Sequence, residues 1–130
     1  MKALLCKHLG PARDLVLEDV PSPTPKPNEV VLDVQAAGVN FPDTLIIEGK
    51  YQFQPPLPFS PGGEAAGTVA AVGAKVGAFK VGDRVMALTG WGAFAEQVAV
   101  PAYNVMPVPA GMDFITCLLY TSPSPRDATL

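Results

Sequence analysis

Gly38-Val39-Asn40-Phe41-Pro42-Asp43, Gly49-Lys50-Tyr51 and Pro61-Gly62-Gly63-Glu64-Ala65-Ala66-Gly67 are the three stretches whose spacing decides the fold. Immediately before them, Val30, Leu32, Val34 and Ala36 face one way while Asp33 and Gln35 face the other, as a half-buried strand requires. Asn40 then suits a helix cap, Pro42 falls near the first turn, and Asp43 stands where the helix dipole favours a carboxylate. The pattern predicts a short helix over roughly Phe41 to Glu48, ended near Gly49. Strand character returns from Glu64 to Val72, with Gly67 marking a bulge or a close backbone approach.

Outward from this centre, short alternating segments punctuated by glycine and proline continue in both directions, the pattern of an antiparallel barrel or sandwich. Met1 to Cys6 and Leu15 to Val20 read as two opening strands around a turn at Gly10-Pro11. Pro21, Pro23, Pro25 and Pro27 lack backbone donors at every second position, so this piece is an extended connector and not an inner strand. Pro55, Pro56, Pro58 and Pro61 stiffen a surface loop, and Asp83 to Leu88, Phe94 to Val100 and Val105 to Val108 supply further strands. Asp113 is placed to cap a helix beginning at Phe114, but the pattern stops almost at once. Thr121 to Asp127 is polar, proline-broken and aperiodic, and reads as disordered.

A chain of 130 residues holds one ordinary domain, and 16% charged residues is far from the composition of a disordered one. The net charge of -3 is spread without a run of lysine or arginine, so no nucleic-acid or membrane-surface partner is expected. No apolar run approaches the roughly 20 residues of a membrane span. Ala3-Leu4-Leu5-Cys6 is too short for a signal-peptide core, so a cytoplasmic location is expected. Cys6 and Cys117 form neither a CxxC pair nor a disulfide framework.

The three opening stretches, taken in register, resemble the amino-terminal, GroES-like half of the medium-chain dehydrogenase/reductase superfamily, in its zinc-free NADPH:quinone oxidoreductase branch. The likeness covers Met1 to about Thr116 and then ends. It implies a mainly β, GroES-like antiparallel β-barrel over 1–116 with one or two short helices, followed by a disordered or foreign tail over 117–130, with the nucleotide-binding Rossmann half absent. A truncation, a splice or assembly error, and vector-encoded residues all fit the change of character near Cys117.

Zinc-dependent alcohol dehydrogenases of this superfamily carry a cysteine and a histidine where this chain has Asn40 and Gly63. A catalytic zinc needs three protein ligands around an open position, and the one histidine, His8, lies far away in sequence; no metal is expected. Without a Lewis acid the acceptor must bring its own electrophilicity, as quinones and conjugated enones do. The resemblance therefore implies NADPH as cofactor, a small-molecule quinone or enone as partner, and a homodimeric parent; reductases of unsaturated acyl thioesters share much of this half. It also implies that Asn40, Asp43 and Tyr51 meet the nicotinamide and substrate, with Asn40 and Tyr51 as hydrogen-bond donors to the reduced acceptor. Each residue has a plainer role too: Asn40 as helix cap, Asp43 as a dipole partner, Tyr51 as a loop anchor, Glu64 as a structural carboxylate.

Gly90-Trp91-Gly92-Ala93-Phe94-Ala95 fits G-x-G-x-x-A, but an alternating strand follows where a dinucleotide fingerprint needs a helix. Nothing in the chain is thus suited to hold the cofactor's phosphates, and the alternative reading is a non-catalytic barrel module with no activity of its own. In that case the barrel face that would meet the missing half is uncovered, and poor solubility is expected.

Overall fold

The structure, a computed structural model, describes residues 1–121 of the chain. Along it run β1 (Lys2–Leu5), β2 (Val16–Asp19), β3 (Glu29–Ala37), α1 (Phe41–Ile47), β4 (Glu64–Val72), β5 (Arg84–Leu88), β6 (Gln97–Pro101), β7 (Val105–Pro107) and α2 (Phe114–Thr121), with single 3-10 turns at Ala12–Asp14 and Ala102–Asn104. The fold is mainly β, every strand pair is antiparallel, and five strands form one sheet in the order β6-β3-β4-β5-β7. β1 and β2 pair separately, as a hairpin.

The connection between β6 and β7 forces that sheet to curl. These strands lie at opposite edges of it, yet the chain passes from Pro101 to Val105 through one 3-10 turn. Four residue steps reach at most about 14 Å, whereas four flat inter-strand spacings need about 19 Å. The edges are therefore drawn together around a common core. All five strands contribute to it: Val30 and Leu32 from β3, Val69 from β4, Val85 and Ala87 from β5, Val98 and Val100 from β6, and Val105 from β7.

Two irregularities between β3 and β4 assist the curl, because a bulge bends its strand and raises the local twist. The pairing Val34↔Gly67 is followed by Ala36↔Ala66, leaving Gln35 as an extra residue on β3, and a second shift leaves Ala70 extra on β4. At the first bulge the β3 backbone presses on Gly67, where any side chain would overlap the carbonyl oxygen of Asp33. Both readings of Gly67 thus hold: a bulge lies opposite it, and the backbones approach closely.

Two boundaries differ from the sequence pattern. The strand expected from Phe94 begins only at Gln97, since the Phe94 carbonyl accepts the Leu4 N–H at 2.8 Å and its own N–H goes to Pro61 at 3.0 Å. This stretch serves as the seam where β1 joins the sheet. The helix capped by Asp113 does not stop near Cys117: it runs to Thr121, packs across β3, β4 and β5, and buries Cys117 and Leu118. The start of the expected tail is therefore helical, while the polar run from Ser122 to Asp127 lies outside the described residues.

Candidate functional site

Asn40 leaves β3 in extended conformation (φ -125°, ψ 160°) and begins α1, with Phe41 and Pro42 filling the first positions where backbone donors lack helical partners. Its backbone N–H donates to Asp43 Oδ2 at 2.8 Å, half of the reciprocal arrangement that closes a helix start. Gly49 stops the helix, and the Lys50 N–H reaches back to the Leu45 carbonyl at 2.8 Å. The buried face carries Asp43, Ile46 and Ile47, the two isoleucines packing with Cys6 and Phe59.

The second carboxylate comes from β4. Glu64 is 3% exposed and Asp43 5%, and they are the buried charged residues among those described. Asn40 Nδ2 donates to Glu64 Oε1 at 3.2 Å, so one asparagine touches both carboxylates. The Glu64 side chain lies directly over Gly38, a position where any larger residue would collide with it. Burial pushes the Asp43 carboxyl above the ordinary aspartate range. N–H groups of Asn40 and Gly62 pull it partly back, and the negative charge of Glu64 adds to the rise.

The loop after β5 is fastened to the same spot. Thr89 N–H donates to the Gly63 carbonyl at 2.8 Å, and Thr89 Oγ1 to the Gly62 carbonyl at 2.6 Å. Gly63 lies against Asp43, since a Cβ there would fall 4.0 Å from Asp43 Oδ1, so positions 40 and 63, far apart in sequence, both border Asp43 and present a neutral amide and a hydrogen atom. His8 is exposed on the opening turn. Among the described residues no three His, Cys, Asp or Glu side chains gather as a metal cage. Behind Asp43 a cavity of about 330 Å³ opens between Val39, Thr44 and Ile47 on one side and Leu4, Leu15, Pro61 and Phe94 on the other; Asp43 is the ionisable group in its lining.

The sequence profile of the family described as "Alcohol dehydrogenase GroES-like domain" matches residues 26–110. The chain belongs to this family. The GroES-like domain is 40% identical over 116 residues to a quinone oxidoreductase of Lama guanicoe, covering 88% of this chain and 35% of that protein. It is equally similar, 40% over 116 residues, to the synaptic vesicle membrane protein VAT-1 homolog of Mus musculus, covering 88% of this chain and 29% of that one. Among solved structures, the Escherichia coli quinone oxidoreductase complexed with NADPH superposes with a TM-score of 0.82 at 33% identity, over 88% of this chain and 35% of that chain. The chain thus spans about a third of the length of the relatives it matches, and no Rossmann half is present in its 130 residues.

Of the three site residues expected, the GroES-like domain brings Asn40 and Asp43 into direct contact, and Tyr51 belongs to a different set. Tyr51 is half-buried beyond the end of α1, against the cluster of Cys6, Ile46, Ile47 and Phe59. Its ring meets Phe53 edge-on, with centroids 5.0 Å apart and planes at 81°, and Phe53 in turn meets Trp91 at 5.8 Å and 40°. Sequence reasoning missed this aromatic run, and it missed that Glu64 is the partner of Asn40. The first had a signal in Trp91, set between two glycines of the G-x-G-x-x-A stretch; that stretch leads into β6 and opens no helix.

Proposed function

We propose that this GroES-like domain is the substrate side of an NADPH-dependent quinone or enone reductase that works without zinc. One observation carries the reading: Asn40 and Gly63 both border the buried Asp43, and Asn40 also donates to Glu64, so an amide and a hydrogen atom stand where a thiolate and an imidazole would hold a metal. The quinone oxidoreductases among its relatives support the choice of acceptor, and the NADPH complex of one of them supports the cofactor.

The described residues fit the nicotinamide end of that cofactor and not its phosphates. Val39 and Phe41, 76% and 73% exposed, flank Asn40 with apolar surface suited to a flat heterocycle. The first turn of α1, by contrast, already carries the Asp43 carboxylate and has no place for a pyrophosphate. When bound, NADPH supplies the hydride. Asn40 and Tyr51 then serve as donors to the acceptor oxygen on which negative charge develops, where one well-aimed hydrogen bond contributes about 3 kcal/mol. Asp43 acts by fixing the Asn40 backbone; burial disfavours its charged form, so it holds a proton more readily than an exposed aspartate.

The test is turnover by a full-length protein carrying this domain, with NADPH and a panel of quinones, conjugated enones and enoyl thioesters. NADPH oxidation with quinones or enones is the expected result. No oxidation with any member of the panel would remove the reading and leave the domain a non-catalytic module.

A further inference from the structure

The connector between β2 and β3, Pro21-Ser22-Pro23-Thr24-Pro25-Lys26-Pro27, belongs to neither sheet. Its four prolines fix φ and remove four backbone donors, and each residue that precedes one is pushed to extended backbone. Both ends are tied down. The Val20 N–H donates to the Met1 carbonyl at 2.8 Å; at the far end the Lys75 N–H donates to the Pro27 carbonyl at 2.9 Å and the Lys26 N–H to Glu29 Oε1 at 3.0 Å. Between these ties exposure alternates, with Pro23 and Pro25 half-buried while Ser22, Thr24 and Lys26 face water. Among the described residues no hydrogen bond engages the Ser22 or Thr24 hydroxyl. Ser60-Pro61 repeats the same kind of dipeptide in the opposite setting: Phe59 and Pro61 on either side are buried, Phe59 exchanges backbone hydrogen bonds with Cys6 at 2.7 and 3.1 Å, and Ser60 Oγ donates to the Pro61 carbonyl at 3.4 Å. Presentation separates the two places, not the dipeptide.

We propose that Ser22 and Thr24 are phosphorylation sites for a serine/threonine kinase that requires proline after the hydroxyl and binds its substrate extended. The hydroxyl oxygen attacks the γ-phosphorus of ATP; an O–P bond forms as the bond to the β-phosphate oxygen breaks, ADP leaves, and the hydroxyl proton passes to the kinase's base. The connector meets both demands without unfolding, and its prolines have already removed freedom that a loose loop would lose on binding. The product suits its surroundings too. Thr24 and Lys26 share the outer face two residues apart, about 7 Å by strand geometry, and among the described residues neither Lys26 nor Lys75 is held in an ion pair. A phosphate on Thr24, with a charge of about −1.5 to −2, therefore has a cation within reach. Because both hydroxyls face away from the core, the modification alters surface charge and not folding. Phosphorylation of the connector is independent of the reductase reading.

The test uses the 130-residue chain with Ser122→Ala and Ser124→Ala, which removes the two Ser-Pro pairs outside the described residues. It is incubated with ATP and a purified mitogen-activated protein kinase, and phosphate is placed by peptide mass mapping. Phosphate on Ser22 or Thr24 and none on Ser60 is expected, with the melting temperature unchanged. The rate should lie within about threefold of that for a free peptide spanning 19–28, since the folded connector is already extended. Ser22→Ala combined with Thr24→Ala should abolish incorporation. Three outcomes would each overturn the proposal: no phosphate on Ser22 or Thr24, incorporation more than about threefold slower than into the free peptide, which would mean that the connector is reached only through unfolding, or phosphate on Ser60.

Discussion

The side-chain amide of Asn40 donates to Glu64 Oε1 across 3.2 Å, joining the cap of α1 to the first residue of β4. Through this bond a helix start and a central strand share one hydrogen-bond network, with the buried Asp43 as its other end. The site is therefore a load carried by the fold as well as a surface for chemistry.

Asn40→Ala removes a donor from a carboxylate that is almost wholly buried, which costs about 1–3 kcal/mol. Asn40→Asp keeps a good capping side chain but replaces the donor by a third negative charge beside Asp43 and Glu64. Urea unfolding should show Asn40→Ala destabilised at all pH values, and Asn40→Asp destabilised more at neutral than at acidic pH. An Asn40→Ala variant within about 0.5 kcal/mol of the parent, the range of an ordinary surface change, would show that the bond carries no structural weight.

Asp43 gives the fold a pH dependence of definite sign. Its folded-state carboxyl is raised above the ordinary aspartate range, chiefly by burial, so the native state binds more protons than the unfolded chain within that window. Its contribution is then fully present in acid and is lost as pH rises through the raised value. Asp43→Asn cannot titrate, and its unfolding free energy should fall less steeply between about pH 4 and pH 7 than that of the parent. Identical slopes would mean that Asp43 does not titrate in this range.

The elements around these residues were legible because their signals are local. The alternation from Val30 to Ala36, the Asn-x-x-Asp start of α1 and the strand from Glu64 to Val72 appear where the residues direct, since periodicity and capping act over a few positions. What the sequence withheld is long-range. Glu64 meets Asn40 across 24 residues, and Phe53 meets Trp91 through two loops with no shared periodicity. The course of α2 is not legible locally for a related reason: after Phe114 the pattern looks foreign, yet Cys117 and Leu118 are held by packing on β3, β4 and β5, which local propensity does not record.

Gly67 tests the curled sheet. A Cβ there would overlap the Asp33 carbonyl at the β3 bulge, and because both partners are backbone the clash has no side-chain escape. Gly67→Ala should cost about 3 kcal/mol or more, whereas Gly77→Ala, with open space around it, should stay within about 0.5 kcal/mol. Equal thermal stability of the two variants would contradict the close approach of β3 and β4.

The metal question can be turned into a construction. Zinc sites need ligands of the nitrogen, sulfur or carboxylate type about 2.0–2.3 Å from the ion, and positions 40 and 63 converge beside a carboxylate already within 3.2 Å of Asn40 Nδ2. Gly63 has room for a side chain: a Cβ there would lie 3.6 Å from the Gly90 carbonyl and 4.0 Å from Asp43 Oδ1, both ordinary contacts. Asn40→Cys combined with Gly63→His should therefore let the chain retain about one zinc through dialysis, the thiolate and imidazole joining Glu64 in a three-ligand set. Either substitution alone supplies only one of the two new nitrogen and sulfur ligands, and the parent sequence supplies neither; none of these should retain the metal. Elemental analysis after dialysis reads the outcome, and stoichiometric zinc in the unaltered chain would remove the basis for a zinc-free reduction.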